Sequence, residues 1–140
     1  MPVFTKAGVG QAEVDAHMRA LSHGVRAPQI HSYDAATQTL TMEAVGSMSV
    51  ANFYGKHEPP DWVWDEARNL VCQLLDCGIS YPDITGYNFM MPLDDDEVYG
   101  GLWVIDFGHA VQSPLSDLTP EHEFVTDFID GQNLWNPHFA

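Results

Sequence analysis

Basic residues are scarce in this chain of 140 residues. Five lysines and arginines stand against twenty aspartates and glutamates, which gives a formal net charge of −15. The phosphates of nucleic acid would be repelled by such a surface, so we expect no nucleic-acid partner. The same charge suits a basic protein, and we therefore expect a protein as partner or substrate.

Cysteine and long apolar runs are also lacking. Cys72 and Cys77 lie five residues apart on a predicted helix, and so on different faces, which argues against a disulfide or a metal site. No segment approaches the roughly 20 apolar residues that a membrane helix needs, so we expect no membrane association. The segment Met1–Lys6 lacks the charged and apolar regions of a signal peptide. These features favour a reducing, intracellular location such as the cytoplasm.

The apolar pattern predicts a single α+β domain with antiparallel hairpins. A run of four carboxylates, Asp94–Glu97, lacks the spacing and the glycine of an EF-hand, so we expect a solvated hairpin tip there. The expected elements are strands over 2–6, 29–33, 39–45, 89–93 and 99–105, helices over 12–23, from Asp61 to Gly78 and from 119 to Gly131, and a loop over 79–88.

Three polar side chains form the most specific pattern in the sequence. Asp83 is followed five residues later by Asn88, and Asp106 comes directly after a β-type run over 102–105. One carboxylate can orient or deprotonate a hydroxyl, while an amide oxygen and a second carboxylate can hold Mg²⁺ against the phosphates of ATP. We therefore predict Asp83 as the catalytic residue and Asn88 and Asp106 as metal ligands. The alternative for Asp83 is a turn residue that accepts hydrogen bonds from its own loop.

In these residues the chain resembles the protein kinase-like superfamily. The segment 81–88, Tyr-Pro-Asp-Ile-Thr-Gly-Tyr-Asn, is similar to the catalytic loop of that superfamily, and Asp-Phe-Gly at 106–108 is similar to its magnesium-binding motif. Thr85, two residues after Asp83, resembles the corresponding residue of small atypical kinases, including those of the tRNA-modification machinery.

The resemblance also implies a nucleotide site in the first third of the chain. Residues 40–46 are similar to the strand that enters the kinase hinge, so the backbone around Glu43 and Val45 would bind adenine. Lys6 and Glu13 would form the ion pair that steadies the α- and β-phosphates. The alternative is that both are ordinary solvated residues. Glu13 would then be favoured in the first turn of a helix because its negative charge suits the positive end of the macrodipole.

The implied architecture is a minimal, truncated protein kinase-like fold over 1–140. Residues 1–46 would form a reduced N-lobe with a sheet and one helix, and residues 47–140 a shortened C-lobe. The sequence departs from the superfamily in lacking Gly-x-Gly-x-x-Gly over the phosphates and in having Tyr81-Pro82 where His-Arg is usual. Without that arginine we expect no coupling to a phosphorylated activation segment. The missing parts would be absent or supplied by another chain, so an oligomer or larger assembly stays open.

The leading functional hypothesis is an atypical kinase-like phosphotransferase that moves the γ-phosphate of ATP to a protein hydroxyl with the help of Mg²⁺. The alternative is a catalytically inactive kinase-like module, for binding or structure, that docks a partner through its acidic surface. Short chains with this type of loop also resemble open reading frames of large DNA viruses, so a virion or a host cell stays open as the location. A third reading is a small-molecule kinase similar to the aminoglycoside phosphotransferases, whose large helical substrate domain this sequence lacks.

Overall fold

A computed structural model describes residues 3–45, 48–91, 101–112 and 120–137 of the chain, with the backbone alone for 120–122. Within these residues, four helices and two small antiparallel sheets confirm the α+β class. The elements in chain order are β1 (Val3–Lys6), α1 (Gln11–Ser22), β2 (Ile30–Asp34), β3 (Thr39–Glu43), α2 (Val50–Tyr54), α3 (Asp61–Asp76), β4 (Phe89–Met90), β5 (Trp103–Val104) and α4 (Pro120–Ile129).

The N-terminal sheet has the strand order β1-β3-β2, and both pairings are antiparallel. Leu40 and Met42 alternate with more exposed neighbours on β3 and are buried with Val9 and Val14 in a small core of their own. Because a shift of one residue would turn that face to solvent, this alternation specifies the register. It pairs Lys6 with Leu40 and so places the lysine at the end of β1.

Helix α3 provides one side of the larger core. Its apolar stripe is buried as the 3.6-residue period predicts, and it packs against α4. The helix begins at Asp61, as the sequence predicts, and its N-cap is Pro60, which offers no side-chain hydrogen bond. Asp61 is the acidic residue of the first turn, where a negative charge stabilises the positive end of the helix.

The second sheet is shorter than predicted within the described residues. β4 and β5 pair over two residues each, with Phe89 opposite Val104 and Met90 opposite Trp103. The acidic run Asp94–Glu97 lies outside the described residues. Helix α2 was not predicted; its N-cap is Ser49, whose hydroxyl accepts a hydrogen bond of 3.1 Å from the amide of Asn52.

None of the described helices combines the length and the apolar character needed to cross a membrane. Cys72 and Cys77 are both free thiols, and Cys77 is buried.

Candidate functional site

The Asp83 loop, residues 81–88, is buried except at Tyr87, although it has no regular secondary structure. Asp83 and Asn88 are each 7 % exposed, and Tyr81 and Ile84 are fully buried. A buried loop has to satisfy its own backbone groups, and here short bonds within the loop contribute. The amide of Ile84 donates to the Pro82 carbonyl at 2.8 Å, and that of Thr85 donates to the Asp83 carbonyl at 3.0 Å.

Asn88 connects the Asp83 loop to the strand that precedes Asp106. Its side-chain amide nitrogen donates to the backbone carbonyl of Asp83 at 2.9 Å. Its own backbone carbonyl accepts from the amide of Ile105, also at 2.9 Å, which continues the β4–β5 ladder by one residue. The short sheet thus brings the chain at Asp83, Asn88 and Asp106 into one region, as the sequence pattern predicts.

Asp106 lies in the left-handed region of backbone conformation, with φ of 62°. This region is disfavoured for most side chains but is visited by Asp and Asn, and strain of this kind concentrates at functional sites. Among the described residues, its Oδ1 accepts from the Gly108 amide at 3.0 Å and from Lys6 Nζ at 3.1 Å. A Cβ at Gly108 would lie 3.1 Å from the same oxygen, so glycine allows the turn to close tightly.

Lys6 joins three parts of the chain. Its Nζ lies 2.7 Å from Glu13 Oε2 and 3.1 Å from Asp106 Oδ1, and the Glu13 side chain is only 11 % exposed. The two residues therefore form an ion pair and are not independent solvated side chains. Burial lowers the pKa of the Lys6 ammonium, but the carboxylates of Glu13 and Asp106 outweigh that effect, and the net result is a pKa above its ordinary value of 10.5.

A cavity of about 410 Å³ lies beside this ion-paired cluster. That volume is within the range of small-molecule sites. Lys6, Glu13 and Asp106 supply its charged wall, and Glu43 and Val45 line it as well. The carboxylate of Glu43 accepts from the Gln29 backbone amide at 2.9 Å, so this side chain is engaged within the protein. Most of the remaining lining is apolar, including Met42 and Met90.

Asp83 itself does not line this cavity, but it is electrostatically coupled to the cavity's charged wall. Burial raises the pKa of its carboxyl above the ordinary 3.8, the hydrogen bond from Asn88 lowers it, and the charge of Asp106 raises it again. His109 and Lys6 lower it by smaller amounts. The net result is a raised pKa. A stronger proton acceptor beside Asp106 is what general-base chemistry at a hydroxyl uses.

Stability is expected to depend on pH through Asp83. Because its pKa is raised in the folded protein, ionisation opposes folding, and the wild type loses this share of its stability as pH rises from 3.8 through the folded pKa. An Asp83→Asn variant has no carboxyl to ionise there. The difference in melting temperature, variant minus wild type, should therefore grow with pH across this window.

Asp15→Asn, at an exposed position of α1, is the matched control. A difference for Asp83→Asn that is independent of pH would contradict the expectation.

Phe107, the residue that follows Asp106, belongs to a buried aromatic stack. The Phe107 ring is 1 % exposed and stacks on the His17 ring at a centroid distance of 4.6 Å, and it meets the Tyr81 ring edge-on at 5.9 Å. The Tyr81 hydroxyl donates to the Ile105 carbonyl. His17 is not among the residues predicted for the site, although its place one helical turn after Glu13 was an available signal. His17 Nε2 donates to the Pro28 carbonyl at 2.8 Å, and burial lowers the pKa of this imidazole.

The oxygen donors at the site suit Mg²⁺, which accepts one or two protein oxygens and keeps several waters. The described residues contain no cluster of three or more His, Cys, Asp or Glu side chains with the geometry of a metal site. The expected donor set is smaller: the amide oxygen of Asn88, whose nitrogen is turned toward Asp83, and the carboxylate of Asp106. An amide and a carboxylate fit a hard cation that also binds phosphate oxygens.

Compared with models of known protein families and with curated proteins, the chain gives no match. The function of the chain is therefore inferred from the residues of the site and their geometry.

Proposed function

We propose that this chain is an atypical kinase-like phosphotransferase, with a truncated protein kinase-like fold, that transfers the γ-phosphate of ATP to a protein hydroxyl with Mg²⁺. The observation that carries the proposal is the position of Lys6. Its Nζ contacts Glu13 and Asp106, which is 100 residues away in the chain, at the wall of a cavity of about 410 Å³. A cation held between two carboxylates at a cavity of this size suits the phosphates of a nucleotide.

In this proposal Lys6 and Glu13 act on the nucleotide. Lys6 binds the α- and β-phosphates, and Glu13, at 2.7 Å from its ammonium, holds the lysine in place. The backbone of Glu43 and Val45 binds the adenine edge, while apolar side chains such as Met42 cover the ring faces. The sheet β1-β3-β2 and helix α1 would then be the reduced N-lobe, and the remainder the shortened C-lobe.

Asn88, Asp106 and Asp83 act on the transfer itself. Asn88 and Asp106 would hold Mg²⁺, which when bound neutralises phosphate charge in a protein whose net charge is −15. Asp83 orients the acceptor hydroxyl and takes its proton; its raised pKa favours that role. Positioning and charge neutralisation supply most of the rate in such reactions. A basic protein acceptor in a reducing intracellular compartment completes the proposal, since the acidic surface would attract it.

Binding of Mg-ATP should raise the melting temperature. A ligand at 100 times its dissociation constant stabilises a protein by about 2.7 kcal/mol, which for a domain of this size corresponds to a shift on the order of 8 °C. The measurement is thermal unfolding with Mg²⁺ and ATP together, with Mg²⁺ alone and with ATP in EDTA. The full shift should need both components and should be lost in Lys6→Ala. If millimolar Mg-ATP leaves the melting temperature unchanged, the nucleotide site is wrong.

The inactive binding module remains the second candidate because of one observation. β1 is an edge strand, and on it Val3 and Phe4 are 57 % and 54 % exposed, so within the described residues no strand covers this side of the cavity. Exposed apolar edges are sites where other chains pair. Mg-ATP binding without transfer of radiolabelled phosphate to any acceptor would favour the module. Transfer that depends on Asp83 would favour the enzyme.

A further inference from the structure

Asn136 is a fully buried polar residue in a segment for which the sequence predicts no helix or strand. It follows α4 in the segment 131–137, and its exposed fraction is 0 %. Burying an amide without partners is unfavourable, so a buried asparagine side chain is expected to form hydrogen bonds.

Two of its hydrogen-bond partners are the peptide carbonyls that flank Asp83. The side-chain nitrogen of Asn136 donates to the Pro82 carbonyl at 2.8 Å, across 54 positions of sequence. The backbone amide of Asn136 donates to the Ile84 carbonyl at 2.7 Å. Asn136 therefore forms hydrogen bonds to the backbone immediately before and immediately after Asp83, whose carboxylate the proposed mechanism uses. We call these two bonds the Asn136 clamp.

The carbonyl between these two is held from the other direction. The Asp83 carbonyl accepts from the side chain of Asn88 at 2.9 Å and from the amide of Thr85 at 3.0 Å. Three successive carbonyls of the loop, at 82, 83 and 84, are thus each tied to a defined donor. Because no helix or strand imposes a conformation on this segment, these bonds constrain the backbone on both sides of the Asp83 side chain.

Trp135, the residue before Asn136, packs in the hydrophobic core and so holds the Asn136 clamp there. The Trp135 ring packs on the Trp64 ring of α3 at a centroid distance of 4.3 Å and stacks on the Phe89 ring of β4 at 6.1 Å. Asn136 is therefore held by the same core that carries β4, and hence Asn88. Asn136 and Asn88, the predicted metal ligand, are thus both attached to the core around Trp64 and Phe89.

We propose that Asn136 is a positioning residue for Asp83, which keeps the carboxylate at the distance and angle that proton transfer from the acceptor hydroxyl requires. The proposal rests on the proposed function for its catalytic meaning. Misplacing a reacting group by about 1 Å can lower a rate roughly 100-fold. Asn136 is not part of the wall of the nucleotide cavity, so its loss should spare nucleotide binding.

The test compares Asn136→Ala with Asn133→Ala. Asn133 lies in the same segment, is exposed, and accepts from Arg68 on α3 at 2.6 Å, so it contacts no part of the Asp83 loop through that bond. Asn136→Ala should lower kcat about 10- to 100-fold while KM for ATP stays within about twofold. Asn133→Ala should change neither. Asn136→Leu fills the space without supplying a side-chain donor, and it should lower kcat in the same way if the alanine variant folds poorly.

A second readout keeps this inference separate from the enzymatic one. Amide hydrogen exchange of Ile84 and Thr85, which donate within the loop, should accelerate at least about tenfold in the Asn136 variants, while the amides of α3 keep their protection. If the wild type transfers no phosphate, the proposed function fails, but the exchange data still decide whether Asn136 holds the loop. Unchanged kcat and unchanged exchange in folded Asn136→Ala and Asn136→Leu proteins, or equal losses in Asn133→Ala, would overturn the role.

Discussion

Asp106→Asn is expected to lower the rate of phosphate transfer by about 100- to 1,000-fold while the protein stays folded. The substitution removes the negative charge that would hold Mg²⁺ and that contacts Lys6 at 3.1 Å. Asparagine keeps the size of the side chain and tolerates the φ of 62° found at this position, so the turn should survive. Alanine would add backbone strain to the loss of charge and would be a less informative change.

The measurement is transfer of radiolabelled phosphate from ATP, accompanied by thermal unfolding of each variant. Asp130→Asn, at an exposed position just after α4, removes the same charge elsewhere and should leave the rate unchanged. A folded Asp106→Asn protein that retains the wild-type rate would show that this carboxylate has no part in the chemistry.

Phe107→Ala should lower the free energy of unfolding by about 3–5 kcal/mol. The ring is 1 % exposed and packs between His17 of α1 and Tyr81 of the Asp83 loop, so its removal leaves a cavity where three parts of the chain meet. Native domains have about 5–15 kcal/mol of stability in total, so a loss of this size approaches complete unfolding at physiological temperature.

Urea unfolding of Phe107→Ala and Phe53→Ala provides the comparison. Phe53 lies on α2, is 54 % exposed and makes an edge contact with Tyr54, so its truncation should change the free energy of unfolding by about 0.5 kcal/mol or less. If Phe107→Ala were as mild as Phe53→Ala, the aromatic stack would not be the support of Asp106.

The site could be predicted from sequence where local pattern and chemistry coincide. The spacing of Asp83 and Asn88 ahead of a β-type run predicts that they lie near Asp106. The β4–β5 pairing brings Asn88 beside the strand that precedes Asp106, and the Asn88 side chain bonds the Asp83 carbonyl. The Lys6–Glu13 ion pair was implied only by the resemblance to the kinase-like superfamily, and the two side chains do form an ion pair at 2.7 Å. It forms because β1 ends at Lys6 and α1 begins at Gln11, which places Glu13 in the first turn facing the strand end.

The parts that could not be predicted depend on contacts between distant segments. Helix α2 has five residues, too few for an amphipathic period to emerge, and its position is set by packing on the Asp83 loop. The Ala51 amide donates to the Gly86 carbonyl at 2.8 Å, and a Cβ at Gly86 would lie 3.0 Å from the Cβ of Ala51. The clamp by Asn136 spans 54 residues and leaves no local trace in the sequence.

Paramagnetic line broadening by Mn²⁺ in the presence of ATP tests the central claim most directly, because Mn²⁺ accepts the same oxygen ligands as Mg²⁺. The account predicts strong, selective broadening of the NMR signals of the Asn88 side-chain amide and the Gly108 backbone amide, both abolished by Asp106→Asn. Mn²⁺ that broadens signals only beside exposed carboxylates, such as Asp65 on α3, and spares Asn88 and Gly108 would contradict it.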